Sequence, residues 1–282
     1  MKLKEILNRA VYKLKDAKIE QPILKARILM QYTLGVSRNE LIIYDQKILS
    51  KVQEKQYMQN VDKLINGIPL QHITHSQEFM KLSFFINEDV LIPRPDTEIL
   101  VEEVLAITKR LTRPRILDLC TGSGAIAISI AKYAPNAYLY ASDKSVKAIE
   151  VAKKNAKANK VEDRIEFVES NLFESIPKMK FDMIVSNPPY IKTDEIKTLD
   201  KEVQNEPKMA LDGGVDGLDF YRKISNKAYD YLKYNGYLCL EIGYNQKNYV
   251  IDILERENRY SDTYSKKDLC DNDRIIVTRV GD

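Results

Sequence analysis

The chain has 282 residues, with 44 Lys/Arg against 41 Asp/Glu and a formal net charge of +3. That length allows one large or two modest domains, each able to bury a real core. No apolar run approaches a bilayer's width and charges break up the first twenty residues, so neither a membrane helix nor a signal peptide is expected. Three widely spaced cysteines, Cys120, Cys239 and Cys270, argue for free thiols in a reducing compartment, hence a cytoplasmic protein.

The charge is uneven. Residues 1–70 hold 13 Lys/Arg against 7 Asp/Glu, while the remainder holds 31 against 34. A basic amino-terminal segment can attract nucleic acid or an acidic protein surface, and lysines on the solvated faces of a helical bundle explain it equally well. Leu3, Ile6, Leu7, Ala10, Val11 and Leu14 recur at helical spacing, Ile23–Leu34 and Lys51–Ile65 read as further helices, and glycine is nearly absent. These features predict a small helical domain over residues 1–68. From Pro69 to Pro95 alternating and β-branched residues predict a β-hairpin linker. His72 and His75 have a spacing that could ligate zinc, but no cysteine or acid has matching spacing; they read as polar hairpin residues, and no metal is expected.

Beyond the linker, over 96–282, strand and helix patterns alternate: 115–119, 125–134, 137–142, 145–159, 164–169, 181–186, 218–234 and 236–242. The alternation predicts an α/β domain with a mostly parallel, Rossmann-like sheet, whose ligands bind past the carboxyl ends of the strands. Three motifs fall at such ends. The first strand runs through Asp118 into Cys120-Thr121-Gly122-Ser123-Gly124, where glycines permit a sharp turn and close ligand approach. The second ends at Asp143, placed to accept hydrogen bonds from both ribose hydroxyls. The third ends at Asn187-Pro188-Pro189-Tyr190, where two prolines stiffen the chain and supply rigid acceptors beside an aromatic face, a setting for a planar NH2 group. Gly122-x-Gly124-x-x-Ala127 with Asp143 also fits a dinucleotide fingerprint. Asp118 would repel a pyrophosphate but suits an ammonium, and Asn-Pro-Pro-Tyr has no task in hydride transfer. Both suit S-adenosylmethionine. Tyr229, Tyr231, Tyr234 and Tyr237 could stack bases; the plainer assignment is one face of a helix and the strand after it.

Together with Gly67-Ile-Pro-Leu-Gln71, Val90-Leu-Ile-Pro-Arg-Pro-Asp-Thr-Glu98, Glu206-Pro207 and Ala210-Leu-Asp-Gly-Gly-Val-Asp-Gly-Leu218, these motifs make the chain resemble the HemK/PrmC family. These are class I S-adenosylmethionine-dependent methyltransferases that modify the glutamine N5 of peptide chain release factors. The resemblance covers nearly the whole chain. It implies a class I release factor as protein partner, through the glutamine of its Gly-Gly-Gln motif. It also implies action as a monomer, with neither a membrane nor a stable nucleic-acid partner. It implies cofactor contacts from Asp118, Cys120, Thr121, Gly122, Ser123, Gly124, Asp143, Asn171, Leu172 and Asn187. Catalysis is expected from Asn187, Pro188 and Tyr190, with Pro189 and Glu206 also on the substrate.

Departures from the family pattern carry expectations of their own. Cys120 stands where relatives have glycine, predicting a turn with φ below zero. Asn171 stands where aspartate is common, keeping an acceptor for the adenine amino group without its charge. His75 and Lys81 replace hairpin glycines. Arg94, between two prolines, is expected both to anchor the linker and to cover the methionine end of the cofactor. Residues 191–217 are too long for an idle connection and are expected to shape the substrate pocket.

A glutamine side-chain nitrogen is a poor nucleophile, so the site must supply orientation and charge stabilisation; no general base is needed. An adenine or guanine amino methyltransferase could use the same Asn-Pro-Pro-Tyr, given a recognition domain and a more basic cleft. A non-catalytic nucleotide-binding scaffold would not need that motif intact.

Overall fold

The computed structural model describes residues 1–281 and divides into two compact units: 1–76 with 200–205, and 77–199 with 206–281. The first is helical: α1 (Leu3–Asp16), α2 (Pro22–Leu34), α3 (Arg38–Ile43), α4 (Lys51–Ile65) and α5 (Leu70–Thr74). The apolar positions read from the sequence fill its core, with Leu3, Ile6, Ala10 and Leu14 of α1 packed with Leu29, Met30, Tyr57 and Val61. Ser37 and Ser50 cap α3 and α4, each paired with an acid or amide three residues on that bonds back to the cap's own N–H. The β texture predicted from Pro69 starts later than expected. Leu70 and Ile73, three apart, are buried in this core, so the segment takes a helical turn, and His72 is buried on α5 rather than standing in a hairpin.

The hairpin itself is short, β1 (Gln77–Phe79) and β2 (Leu82–Phe84), turning through Met80 and Lys81 with φ of 49° and 59°. Lys81 and His75 (φ 54°) thus keep the left-handed backbone that a glycine would take without strain. The α/β unit continues with α6 (Thr97–Thr108), β3 (Arg115–Leu119), α7 (Ala125–Tyr133), β4 (Tyr138–Asp143), α8 (Val146–Asn159), β5 (Ile165–Glu169) and β6 (Phe181–Ser186). Then come α9 (Lys201–Gln204, in the helical unit), α10 (Lys208–Leu211), α11 (Asp219–Tyr231), β7 (Leu232–Glu241), α12 (Lys247–Arg256), β8 (Tyr260–Lys267) and β9 (Asp273–Val280).

Seven strands form one sheet in the order β5-β4-β3-β6-β7-β9-β8. The first five are parallel and the last two antiparallel. Two apolar layers cover its faces, one built on α6, α7 and α8, the other on α11 and α12. The helix predicted over 218–234 stops at Tyr231. Leu232 already pairs with Phe181, and Lys233–Gly236 bulge before the ladder resumes at Tyr237–Met183. Tyr234 and Tyr237 therefore belong to the strand. Among the described residues no helix is long and apolar enough to cross a membrane, and no cluster of His, Cys, Asp and Glu could hold a metal.

Candidate active site

Sheet order reverses between β3 and β6, and the crevice beyond the strand ends opens there. Register sets the neighbours. Leu119 pairs with Ser186 and Ser186 with Leu240, so Cys120, Asn187 and Glu241 follow side by side at three adjacent strand ends. The Ser186 hydroxyl donates to the Leu119 carbonyl at 2.7 Å, tying two of those ends together.

A cavity of about 360 Å³ lies over them. Of the sequence-predicted residues its wall includes Cys120, Gly122, Asp143, Asn171, Leu172, Asn187 and Pro189, joined by Asp89–Leu91, Pro207, Met209 and Phe220. Asp118, Thr121, Ser123, Gly124, Pro188, Tyr190 and Glu206 are not part of the wall.

Asp118 is wholly buried. Its Oδ2 accepts from the Thr121 hydroxyl at 2.6 Å and from the Ala127 N–H at 3.2 Å, while Oδ1 has no hydrogen-bond partner. Burial lifts its carboxyl to about 7 against the pull of those two bonds. Asp118 thus takes an amide of the first turn of α7, the position a pyrophosphate would use, and keeps one acceptor for a cation. The turn that follows corrects an expectation: Cys120 has φ +59°. Thr121 N–H must reach the Ser142 carbonyl of β4 at 2.9 Å, and that bond requires a left-handed residue here whatever its side chain. Burial, and then Asp143, push the Cys120 thiol up, so it is no nucleophile. A side chain at Gly124 would run into Ile128 and Ala152, so the glycine there serves the packing of α7 on α8.

Asp143 Oδ2 accepts from the Gly122 N–H and Oδ1 from the Ser145 N–H, both at 2.9 Å. Its carboxyl is nevertheless raised, because burial outweighs those bonds. Asp143 lines the cavity beside the glycine turn, and each carboxylate oxygen has acceptor capacity beyond these bonds. Asn171 donates its amide N–H to Glu174 at 2.7 Å, and Leu172 beside it takes φ 52°.

Asn187 Nδ2 donates to the Thr97 hydroxyl at 3.2 Å, so Oδ1 is the atom left as acceptor. Pro188 and Pro189 are buried. Tyr190 places its hydroxyl 3.5 Å from Glu241, and its carbonyl accepts from Gln246 Nε2 at 2.9 Å; burial, then Glu241, raise its phenol. Glu206 differs from its expected role. Its side chain is 1% exposed, and its carboxylate accepts from the Ile92 N–H at 2.8 Å and pairs with Arg94. It pins the Leu-Ile-Pro-Arg-Pro segment, and Arg94 is an anchor through it.

Sequence reading missed Thr97, Glu241 and Gln246. Thr97 lay in view inside Arg94-Pro-Asp-Thr-Glu98. For Glu241 the available signal was an acid ending an otherwise apolar strand.

Residues 5–74 match the PrmC N-terminal domain and residues 95–215 the methyltransferase small domain. A release factor glutamine methyltransferase of Clostridium acetobutylicum is 41% identical over 280 residues, covering 98% of both chains. One of Moorella thermoacetica is 37% identical, again covering 98% of both. Among solved structures, the catalytic domain of hMettl16 in complex with MAT2A 3'UTR hairpin 6 is similar with a TM-score of 0.59 at 16% identity, covering 77% of this chain and 84% of that one. A methyltransferase of Pyrococcus furiosus gives 0.52 at 19%, covering 71% and 88%. At such identities these two speak for the fold alone, that of class I methyltransferases. With near-complete coverage by the curated relatives, the cavity at the β3–β6 switch point belongs to a known lineage: the chain is a member of the release factor glutamine methyltransferase family.

Proposed function

We propose that this chain methylates the side-chain nitrogen N5 of the glutamine in the Gly-Gly-Gln loop of class I peptide chain release factors. The observation that carries the reading is Asn187: its amide N–H is committed to Thr97, leaving Oδ1 as a fixed acceptor at the cavity wall. S-adenosylmethionine, when bound, supplies a methyl group activated by a sulfonium. Asp143 would hold its ribose, Asp118 Oδ1 its ammonium, and Asn171 with Leu172 its adenine. The orphaned acceptor on Asp118 and the occupied amide of α7 support a cationic ligand without phosphates.

Asn187 Oδ1 accepts one N–H of the substrate amide and the Pro188 carbonyl, which no proline N–H can satisfy, accepts the other. The two fix the amide plane and stabilise positive charge as it grows on nitrogen. Exclusion of water by the bound substrate would strengthen both bonds. Methyl transfer would leave a positively charged N-methylated amide, and that cation is strongly acidic and loses its proton to solvent, so no side chain need act as base.

The basic helical unit and the loop 191–217 serve the protein partner in this reading. One small pocket cannot select one glutamine among many, and a second surface must add affinity.

The test is incubation of the enzyme with S-adenosylmethionine and whole release factor, followed by mass spectrometry of the Gly-Gly-Gln peptide. One added methyl group on that glutamine is expected. In Asn187→Ala, turnover should fall by about 10²-fold or more while cofactor binding changes little. Methylation of adenine in DNA or RNA, with release factor untouched, overturns the reading.

A further inference from the structure

The glycine turn and the segment that leaves the hairpin both contribute to the cavity wall, through Cys120 and Gly122 from the first and Asp89–Leu91 from the second. Neither stretch lies within a helix or a strand, so the spacing between them must be fixed from outside.

Helix α8 supplies that support. Asn155, on α8, is wholly buried and is not part of the cavity wall. Its Oδ1 accepts from the Phe85 N–H at 2.7 Å, and its Nδ2 donates to the Phe85 carbonyl at 3.0 Å and to the Ser123 carbonyl at 2.9 Å. Every partner is a backbone group, either an N–H that only donates or a C=O that only accepts. The orientation of this amide is therefore fixed. Asn155 pairs with Phe85 as a neighbouring strand would, and gives its second proton to the glycine turn.

Its neighbours on α8 hold the same two segments. One turn later, Asn159 Nδ2 donates to the Ser83 carbonyl at 3.1 Å. Four helix residues rise about 6 Å and two extended residues about 6.6 Å, so asparagines four apart on α8 match carbonyls two apart along the hairpin chain. One turn earlier, Ala152 meets the glycine turn directly: a Cβ on Gly124 would lie 3.1 Å from the Ala152 Cβ.

We propose that Asn155 is a positioning residue for S-adenosylmethionine, holding the glycine turn and the hairpin exit at a fixed spacing so that the cavity has its binding shape before the cofactor enters. The inference rests on the reading of this cavity as the cofactor site. It gives the hairpin a part in cofactor binding, although β1 and β2 lie outside the wall.

The experiment measures S-adenosylmethionine affinity by calorimetry in full-length Asn155→Asp, with Ala156→Gly as the control for stability. Asn155→Asp keeps the shape and the acceptor for Phe85, and in either protonation state it has at most one proton for the two carbonyls. Its dissociation constant should rise about tenfold, the upper end for one net hydrogen bond. Ala156 is buried on the same turn of α8. Ala156→Gly should lower the melting temperature and leave the affinity as in wild type. Asn155→Ser, whose shorter side chain leaves room for a bridging water, should weaken binding in the same direction as Asn155→Asp. Unchanged affinity in either Asn155 variant, or an equal loss in Ala156→Gly, overturns the proposal.

A second readout uses wild-type enzyme and amide hydrogen exchange. Saturating S-adenosylmethionine should slow the Phe85 amide together with those of Gly122 and Gly124, although Phe85 is not part of the wall. A Phe85 amide that ignores the bound cofactor overturns the proposal whether or not the variants fold. If wild-type enzyme binds no S-adenosylmethionine, the cofactor reading fails, and exchange without cofactor decides the tie alone. The Gly122 and Gly124 amides should then exchange faster in Asn155→Asp than in Ala156→Gly, and equal rates would sink it.

Discussion

Asp143 holds a loop with the carboxylate that the proposed reading assigns to the cofactor ribose. Its two oxygens hold the N–H groups of Gly122 and Ser145, which set the glycine turn and the start of α8. Asp143→Ala should therefore weaken S-adenosylmethionine binding by about 1.5–3 kcal/mol, the range for hydrogen bonds to a charged group. It should also lower the melting temperature, because two amides lose their acceptor. Calorimetric titration showing unchanged affinity would remove Asp143 from the cofactor site. Cys120 makes a complementary point. A non-glycine residue in the left-handed region costs of order 1–3 kcal/mol, and the chain accepts it because the Thr121–Ser142 bond joining β3 to β4 depends on that geometry.

Among the elements, the glycine segment after α10 decides how the Asn-Pro-Pro-Tyr end is held. Gly213 donates to the Ile191 carbonyl at 2.8 Å, and Ile191 donates to the Leu211 carbonyl at 3.0 Å. The two backbones pack so closely that a Cβ on Gly213 would lie 2.7 Å from the Tyr190 Cα and 2.9 Å from the Pro189 carbonyl oxygen. Neither is the end of a flexible side chain, so the strand exit itself must shift. Gly213→Ala should destabilise the fold by about 1–3 kcal/mol, as overpacking does, and reduce kcat through displacement of the acceptors. A variant with wild-type melting temperature and turnover would show the two segments to be independent. Gln246 completes the clamp. It donates to the Tyr190 and Gly217 carbonyls and accepts from the Gly243 N–H and the Tyr221 hydroxyl. Residues 191–217 thus include the support of the Asn187–Tyr190 strand end, beyond the pocket wall expected of them.

Across the whole molecule, two buried acids tie stability to pH. Burial raises Asp118 and Glu241 each to about 7, far above the ordinary carboxylate range. The folded state then holds protons that the unfolded chain has already released. The stability this contributes is fully present below about pH 4 and is lost as pH rises through about 7, with a slope up to ~1.4 kcal/mol per unit for each group. Asp268, held at about 2 by Arg274 and the Asn272 N–H, acts in the opposite sense but only at lower pH. Melting temperature should fall between about pH 4 and 7, the window those shifts define, and Glu241→Gln should flatten that slope; parallel curves for the two proteins would contradict the assignment. The helical unit carries its own prediction. Ile42, Ile43, Tyr44, Ile48 and Val52 are all at least half exposed, on α3, the loop after it and the start of α4. A patch of that kind marks an interaction surface. Asp substitutions at Ile43 and Ile48 should raise KM for whole release factor about tenfold and leave a short Gly-Gly-Gln peptide unaffected. Equal effects on both substrates would place the partner's docking surface elsewhere. Point substitutions suit this test better than excision, because residues 200–205 pack within the helical unit through Lys25–Glu202 and Asn205–Gly67.

Much of this was legible in the sequence because it is local. Apolar runs of strand length and helical spacing write α1, α2, α4 and β3 through β6 directly, and Gly-x-Gly, Asp143 and Asn187–Tyr190 mark the strand ends that meet in the crevice. The pairing of those motifs with Leu-Ile-Pro-Arg-Pro also pointed to the family. What the sequence left open depends on partners far apart in the chain. Cys120 is left-handed because of a bond to β4, Leu232 is strand because Phe181 lies beside it, and Glu206 is an anchor because Ile92 and Arg94 reach its carboxylate. Thr97 and Asn187, 90 residues apart, meet only through the packing of α6 on the sheet. Local propensity names the elements, but a buried polar group finds its partner only through the packing that excludes water from it, and that is decided in three dimensions.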